Sequence, residues 1–195
     1  MGRPFKTELS LINKTYTWAK SVDLKISPDD MMELLAVPTF VIGSGGSYSA
    51  CHLFAILQQT LGGFSKAMTP LELHYSSAAI RNSNVVFLSA SGKNSDILFA
   101  YNTALKYDPL SVLGICMKKN TRLGFVSANH SISRILEFDT PAGKDGFLAT
   151  NSLIAYFTIL SRIFGHTHTI ESFGTYELLQ NKIKAFVDKL HQHFT

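Results

Sequence analysis

The chain has 195 residues, of which 46% are hydrophobic and 16% charged. That apolar share excludes intrinsic disorder and supplies one full core, while two tandem domains would be cramped. The 18 basic and 14 acidic side chains leave a net +4, and no long Lys/Arg run gives a nucleic-acid footprint.

Residues 6–20 read as a helix, with Leu9, Leu11, Ile12, Tyr16 and Trp18 on its apolar side. Ser27-Pro28-Asp29-Asp30 starts a second, short helix ending near Ala36: Ser caps, Pro takes the first turn and the acids face the helix dipole. Residues 39–42 are a β-branched and aromatic run closed by Gly43-Ser44-Gly45-Gly46-Ser47. A helical pattern over 48–61 ends at Gly62-Gly63, as glycine commonly ends helices. A short strand over 64–69 and a helix over 70–79 follow. Residues 85–89 are the clearest strand, then the loop Ser89–Asp96, then a helix to Tyr107. Two more strands lie at 111–117 and 132–138, and a long helix runs from about 145 to 164. The tail, 176–194, is amphipathic through Leu179, Ile183, Phe186, Val187 and Leu190.

Strand, loop and helix alternate four or five times, which predicts α/β architecture with a parallel sheet flanked by helices. Ligands bind such sheets outside the carboxyl ends of the strands, where the strand order reverses. The two Gly/Ser loops that leave strands are therefore the places for chemistry. Glycines in the first let backbone approach a ligand, and the helix behind it favours an anion. It is neither a G-x-G-x-x-G, since Tyr48 stands where the third glycine belongs, nor a Walker motif. The second, Ser89-Ala90-Ser91-Gly92-Lys93-Asn94-Ser95-Asp96, offers hydroxyls and N–H groups that can surround a phosphate without a metal, and Lys93 adds charge. Its bland alternative is a polar turn capped by Ser95 or Asp96.

Gly45-Gly46-Ser47-Tyr48, the run VVFLSASGKNSD and the turn Gly146-Phe147-Leu148-Ala149-Thr150 together resemble the sugar isomerase (SIS) domain family. The likeness covers roughly residues 35–165 and is greatest to the first isomerase domain of glucosamine-6-phosphate synthase. The resemblance implies a five-stranded parallel sheet in a flavodoxin/Rossmann-like three-layer sandwich. It divides the chain into an N-terminal helical segment 1–34, a SIS domain 35–170 and a C-terminal helix 171–195 that could link to a second SIS domain. It also implies a phosphosugar site in which Ser47, Ser89, Ser91 and the Ala90 backbone hold the phosphate. Asn94 stands where the family has a phosphate-binding Thr. Gly45 and Gly46 line the first loop, but Gly46, Ala90 and Ala149 stand where the family carries polar side chains. The phosphate cradle is thus better kept than the shell that reads the sugar.

Isomerisation needs a base and a ring-opening acid. Glu72, in the segment PLELHY with His74, is the one weak catalytic candidate, and Lys144 reverses a charge the family often has. His166 and His168 form a lone H-x-H, so no metal and no cofactor are expected. The reading is a phosphosugar-binding or sensing module; the alternative is an aldose–ketose sugar-phosphate isomerase, single-domain or half of a tandem enzyme. Both assume a homodimer or pairing with a second SIS domain, packed through the terminal helices and the helix after Gly46. Cys51 and Cys116 lie in apolar segments and read as buried free thiols of a reducing compartment. The first residues contain no apolar signal core, and the uncharged run 146–161 is too short and polar to span a membrane. A cytoplasmic protein without membrane or nucleic-acid partners is expected.

Overall fold

The computed structural model describes residues 4–146, 148–165 and 185. The tail stripe and His166, His168, His191 and His193 lie outside them. Five strands, β1 (Thr39–Gly43), β2 (Ser65–Met68), β3 (Asn84–Leu88), β4 (Ser111–Cys116) and β5 (Ser133–Glu137), form one sheet. All neighbours are parallel, in the order β2-β1-β3-β4-β5. Eight helices accompany them among the described residues: α1 (Phe5–Ser10), α2 (Ile12–Ser21), α3 (Pro28–Ala36), α4 (Gly46–Thr60), α5 (Pro70–Tyr75), α6 (Ser95–Ala104), α7 (Arg122–Ser127) and α8 (Asn151–Gly165).

β1 and β3 are buried along their whole length, as expected of strands covered on both faces. Their side chains alternate between two cores. Val41, Val86 and Leu88 join α4 and α8 through Phe54, Tyr156, Ile159 and Phe164. Phe40, Ile42, Val85 and Phe87 join α5 and α6 through Leu73, Ile97 and Tyr101. In this order the strand sequence reverses between β1 and β3, where Gly43 pairs with Leu88. The two Gly/Ser loops leave the sheet on either side of that point.

Three expectations need correction. The helix over 6–20 is two helices, broken at Leu11, whose N–H bonds back to the Glu8 carbonyl. The long helix begins at Asn151 instead of near Asp145, because the Asp145 carboxylate accepts the N–H groups of Asn151 and Ser152 at 3.0 Å each and serves as the cap from outside the helix. Residues 145–150 thus form an irregular arm. Last, the N-terminal apolar stripe does not await a partner. Ala19 is fully buried, and α2 lies on α8. Arg162 Nη1 donates to the Ala19 and Val22 carbonyls at 2.7 and 2.8 Å, and the Thr15 hydroxyl donates to Asn151 Oδ1 at 2.8 Å.

Candidate functional site

The first loop turns directly from β1 into α4. Gly45 is exposed at its cap and Gly46 opens the helix. A Cβ on residue 46 would collide with the Ala149 methyl, so glycine is required by close approach. The same contact brings the 145–150 arm over the first loop. That arm is anchored from the N-terminus: the buried Glu8 carboxylate accepts the Gly146 N–H and faces the Thr150 hydroxyl at 3.3 Å.

Ser47, the second residue of α4, is half-buried. Its hydroxyl and the Ser89 N–H both reach the Tyr156 phenol oxygen, which is wholly buried and donates to the Ile115 carbonyl at 2.9 Å. Burial, with the two thiols nearby, pushes the Tyr156 pKa well above the ordinary phenol value. The phenol therefore stays neutral, a fixed post between the two loops. Sequence reasoning missed it, since Tyr156 lies in an apolar helical stretch with no local mark of a polar task.

The second loop is internally stitched. Ser89 is buried, and its hydroxyl accepts the Gly92 N–H at 3.2 Å. Ser91 is half-buried, and its hydroxyl accepts the Lys93 N–H at 3.3 Å. The Ala90 carbonyl takes the Met117 N–H at 3.1 Å. The cap of α6 is Asn94, not Ser95 or Asp96. Its Oδ1 accepts the N–H groups of Asp96 and Ile97 at 2.8 and 3.1 Å. This fixes the side-chain oxygen and leaves the amide NH₂ as the donating end. Lys93 lines a separate cavity with residues 120–122, 125 and 126.

Glu72 sits apart from the serines. Its carboxylate accepts the Thr69 N–H at 2.7 Å while the Thr69 hydroxyl accepts the Glu72 N–H, a complete capping box. The Thr69 backbone bond, opposed by some burial and aided by the Thr69 hydroxyl, Lys66 and His52, holds its pKa below the ordinary carboxylate range. His52, one turn after Tyr48 on α4, stacks edge-on to that ring at 4.6 Å. Glu72 also raises the Tyr48 pKa, after burial. The Glu72, Tyr48 and His52 grouping joins α4 to α5, and no sequence spacing announced it. Lys144 is exposed.

No protein-family model matches the sequence, and no curated protein does. Solved structures do. A protein of Escherichia coli CFT073 in complex with arabinose 5-phosphate superimposes with a TM-score of 0.68 at 14% identity, covering 87% of this chain and 90% of that one. The Vibrio vulnificus NanR protein complexed with ManNAc-6P gives 0.63 at 20% identity over 95% of this chain and 67% of its own. The C-terminal domain of glucosamine-fructose-6-phosphate aminotransferase from Francisella tularensis gives 0.65 at 19% identity, over 94% of this chain and 52% of that one. The chain has the sugar isomerase fold. Within that fold the two Gly/Ser loops occupy the β1/β3 switch point, the general ligand position of doubly wound sheets. Among the described residues of this sugar isomerase fold, no helix is long and apolar enough to cross a membrane. No three His, Cys, Asp or Glu side chains gather there as a metal site would require.

Proposed function

We propose that the chain binds a phosphosugar or a related phosphorylated carbohydrate derivative, as a binding or sensing module. The observation that carries this reading is the meeting of the Ser47 hydroxyl and the Ser89 amide at the buried Tyr156 phenol, at the switch point of the sheet. The phosphate is held by the Ser47, Ser89 and Ser91 hydroxyls, the Ala90 N–H and the Asn94 amide. Phosphate oxygens accept from such neutral donors in charge-assisted bonds, and the α4 N-terminus adds its dipole. Gly45, Gly46 and Ala149 border the sugar and offer it little beyond backbone, so discrimination among sugars is weak. The solved structures with arabinose 5-phosphate and ManNAc-6P support the ligand class.

Titration calorimetry against glucosamine 6-phosphate, fructose 6-phosphate, arabinose 5-phosphate and ManNAc-6P tests it. At least one binds, and Ser91→Ala weakens it roughly tenfold, the effect of one charge-assisted hydrogen bond. No binding by any of them, or unchanged affinity in Ser91→Ala, overturns the assignment.

The isomerase reading has one observation behind it, the grouping of Glu72 with His52 and Tyr48. Against it, a carboxylate tied into a helix cap and held low in pKa is a poor proton acceptor near neutral pH. Little turnover of fructose 6-phosphate or glucosamine 6-phosphate is expected. Robust turnover abolished by Glu72→Gln would establish the enzyme instead. The same proposal places the protein in the cytoplasm, as a homodimer or paired with a second SIS domain, with residues 35–170 as the binding unit.

A further inference from the structure

A cavity of about 640 Å³ opens beside the second loop, lined by Lys93, Asn120, Thr121, Arg122, Phe125 and Val126 and by none of the cradle serines. Its walls are set by two contacts. Gly92 has a left-handed φ of +59° and lies against the Thr121 side chain, where a Cβ would collide. The Leu123 N–H donates to the Gly92 carbonyl at 2.9 Å. Lys93 follows Gly92 and Arg122 follows Thr121, so this weld sets two cations around one opening. Neither forms an ion pair among the described residues, where Arg81–Asp108 and Arg134–Asp30 are the pairs present. The one acid close by, Glu137, is spent: its carboxylate accepts the Asn120 and Thr121 N–H groups at 2.8 Å and the Thr121 hydroxyl at 2.6 Å. Lys118 and Lys119 stand exposed on the same loop. Phe125 is 78% exposed at the rim, an unusual position for a large apolar ring unless it meets something.

We infer that this cavity is a second ligand site, distinct from the phosphosugar cradle, that takes a nucleotide: phosphates on Lys93 and Arg122, and the base against Phe125. The volume is that of a small-molecule pocket, about 300–1,000 Å³. Guanidinium and ammonium groups are the usual phosphate partners, the first by bidentate bonds and the second as a point charge. A flat base stacks on an aromatic face whatever its sequence identity.

Calorimetry with ADP, UDP and inorganic tripolyphosphate as probes tests the site. ADP or UDP binds more tightly than tripolyphosphate. Lys93→Ala with Arg122→Ala weakens it about tenfold or more, and Phe125→Ala about fivefold. All three side chains are exposed, so the variants keep the fold. Ser47→Ala leaves nucleotide binding unchanged while it weakens the phosphosugar. Absence of nucleotide binding, tripolyphosphate binding as tightly as the nucleotides, or affinity lost in Ser47→Ala but kept in the Lys93/Arg122 variant would each overturn the second site. None of these outcomes alters the phosphosugar reading.

Discussion

Tyr156 and the two cysteines share one small volume beneath the cradle. Each of the thiols raises the pKa of the phenol, so all three groups are neutral together or the core is broken. Burial pushes the Cys116 thiol to about 12, against a weak bond from the Thr121 hydroxyl, and pushes the Cys51 thiol higher still. Thiolate is the reactive species, and a thiol raised in this way is inert. Native protein is therefore expected to leave both cysteines unmodified by an aromatic disulfide reagent at pH 8. Both should react stoichiometrically once guanidinium unfolds the chain. Fast labelling of either thiol in the native state would show that the floor of the site opens, and it would remove the fixed post on which Ser47 and Ser89 depend.

Among the elements, the contact between α4 and the arm before α8 decides the shape of the site. Gly46→Ala drives a methyl into Ala149, and overpacking of this kind costs about 1–3 kcal/mol. Ala149→Gly in the same chain should recover much of that loss, so a double-mutant cycle by urea denaturation reads a coupling of about 1 kcal/mol; additive effects would mean the two residues do not touch. The second junction is Glu137, which ties β5 to the start of α7. Burial would raise its pKa, but the Thr121 hydroxyl and the Thr121 and Asn120 N–H groups outweigh burial, with Lys25 assisting, and the net pKa is lowered. A carboxyl depressed in the folded state stabilises above its unfolded pKa and loses that contribution as pH falls through the folded value. Glu137→Gln should cost about 1–2 kcal/mol at neutral pH and flatten the fall of the urea midpoint below pH 5; an unchanged acid slope would assign that fall to Asp30 and Glu72, whose pKa values are also lowered. Neither junction could be read from the chain. Apolar β-branched runs and Gly/Ser turns announce β1, β3, β4 and both loops, because those signals are local. The start of α8 is not legible in the same way, because its cap is a side chain six residues upstream. Tyr156 and His52 acquire their roles only when α8 crosses the sheet and α4 meets α5.

At the scale of the whole molecule, assembly turns on which apolar surface is left uncovered. The α2 stripe is spent on α8, so the N-terminal helices cannot carry the interface expected of them. The large exposed apolar side chains of α4, α5 and α6 are instead Ile56, Leu71, Tyr75 and Phe99, each more than half exposed. Leu71 and Phe99 line one cavity of about 520 Å³ with Ser44, Thr69, His74 and Asp96. The His74 ring stands 5.4 Å from Phe99 and 5.2 Å from Tyr75, so these side chains form one patch beside the first loop. A contiguous apolar patch rimmed by polar groups is the usual mark of a protein contact. A homodimer through it must bury at least about 1,000 Å² in total to persist. Light scattering at micromolar concentration should give twice the 21.5 kDa chain mass. Leu71→Glu with Phe99→Glu should return it to 21.5 kDa, because two carboxylates desolvated without partners cost several kcal/mol. These residues are exposed in the single chain, so the variant should keep its melting behaviour at low concentration. A wild-type mass of one chain would end the dimer, and a dimer indifferent to both substitutions would move the interface to another face.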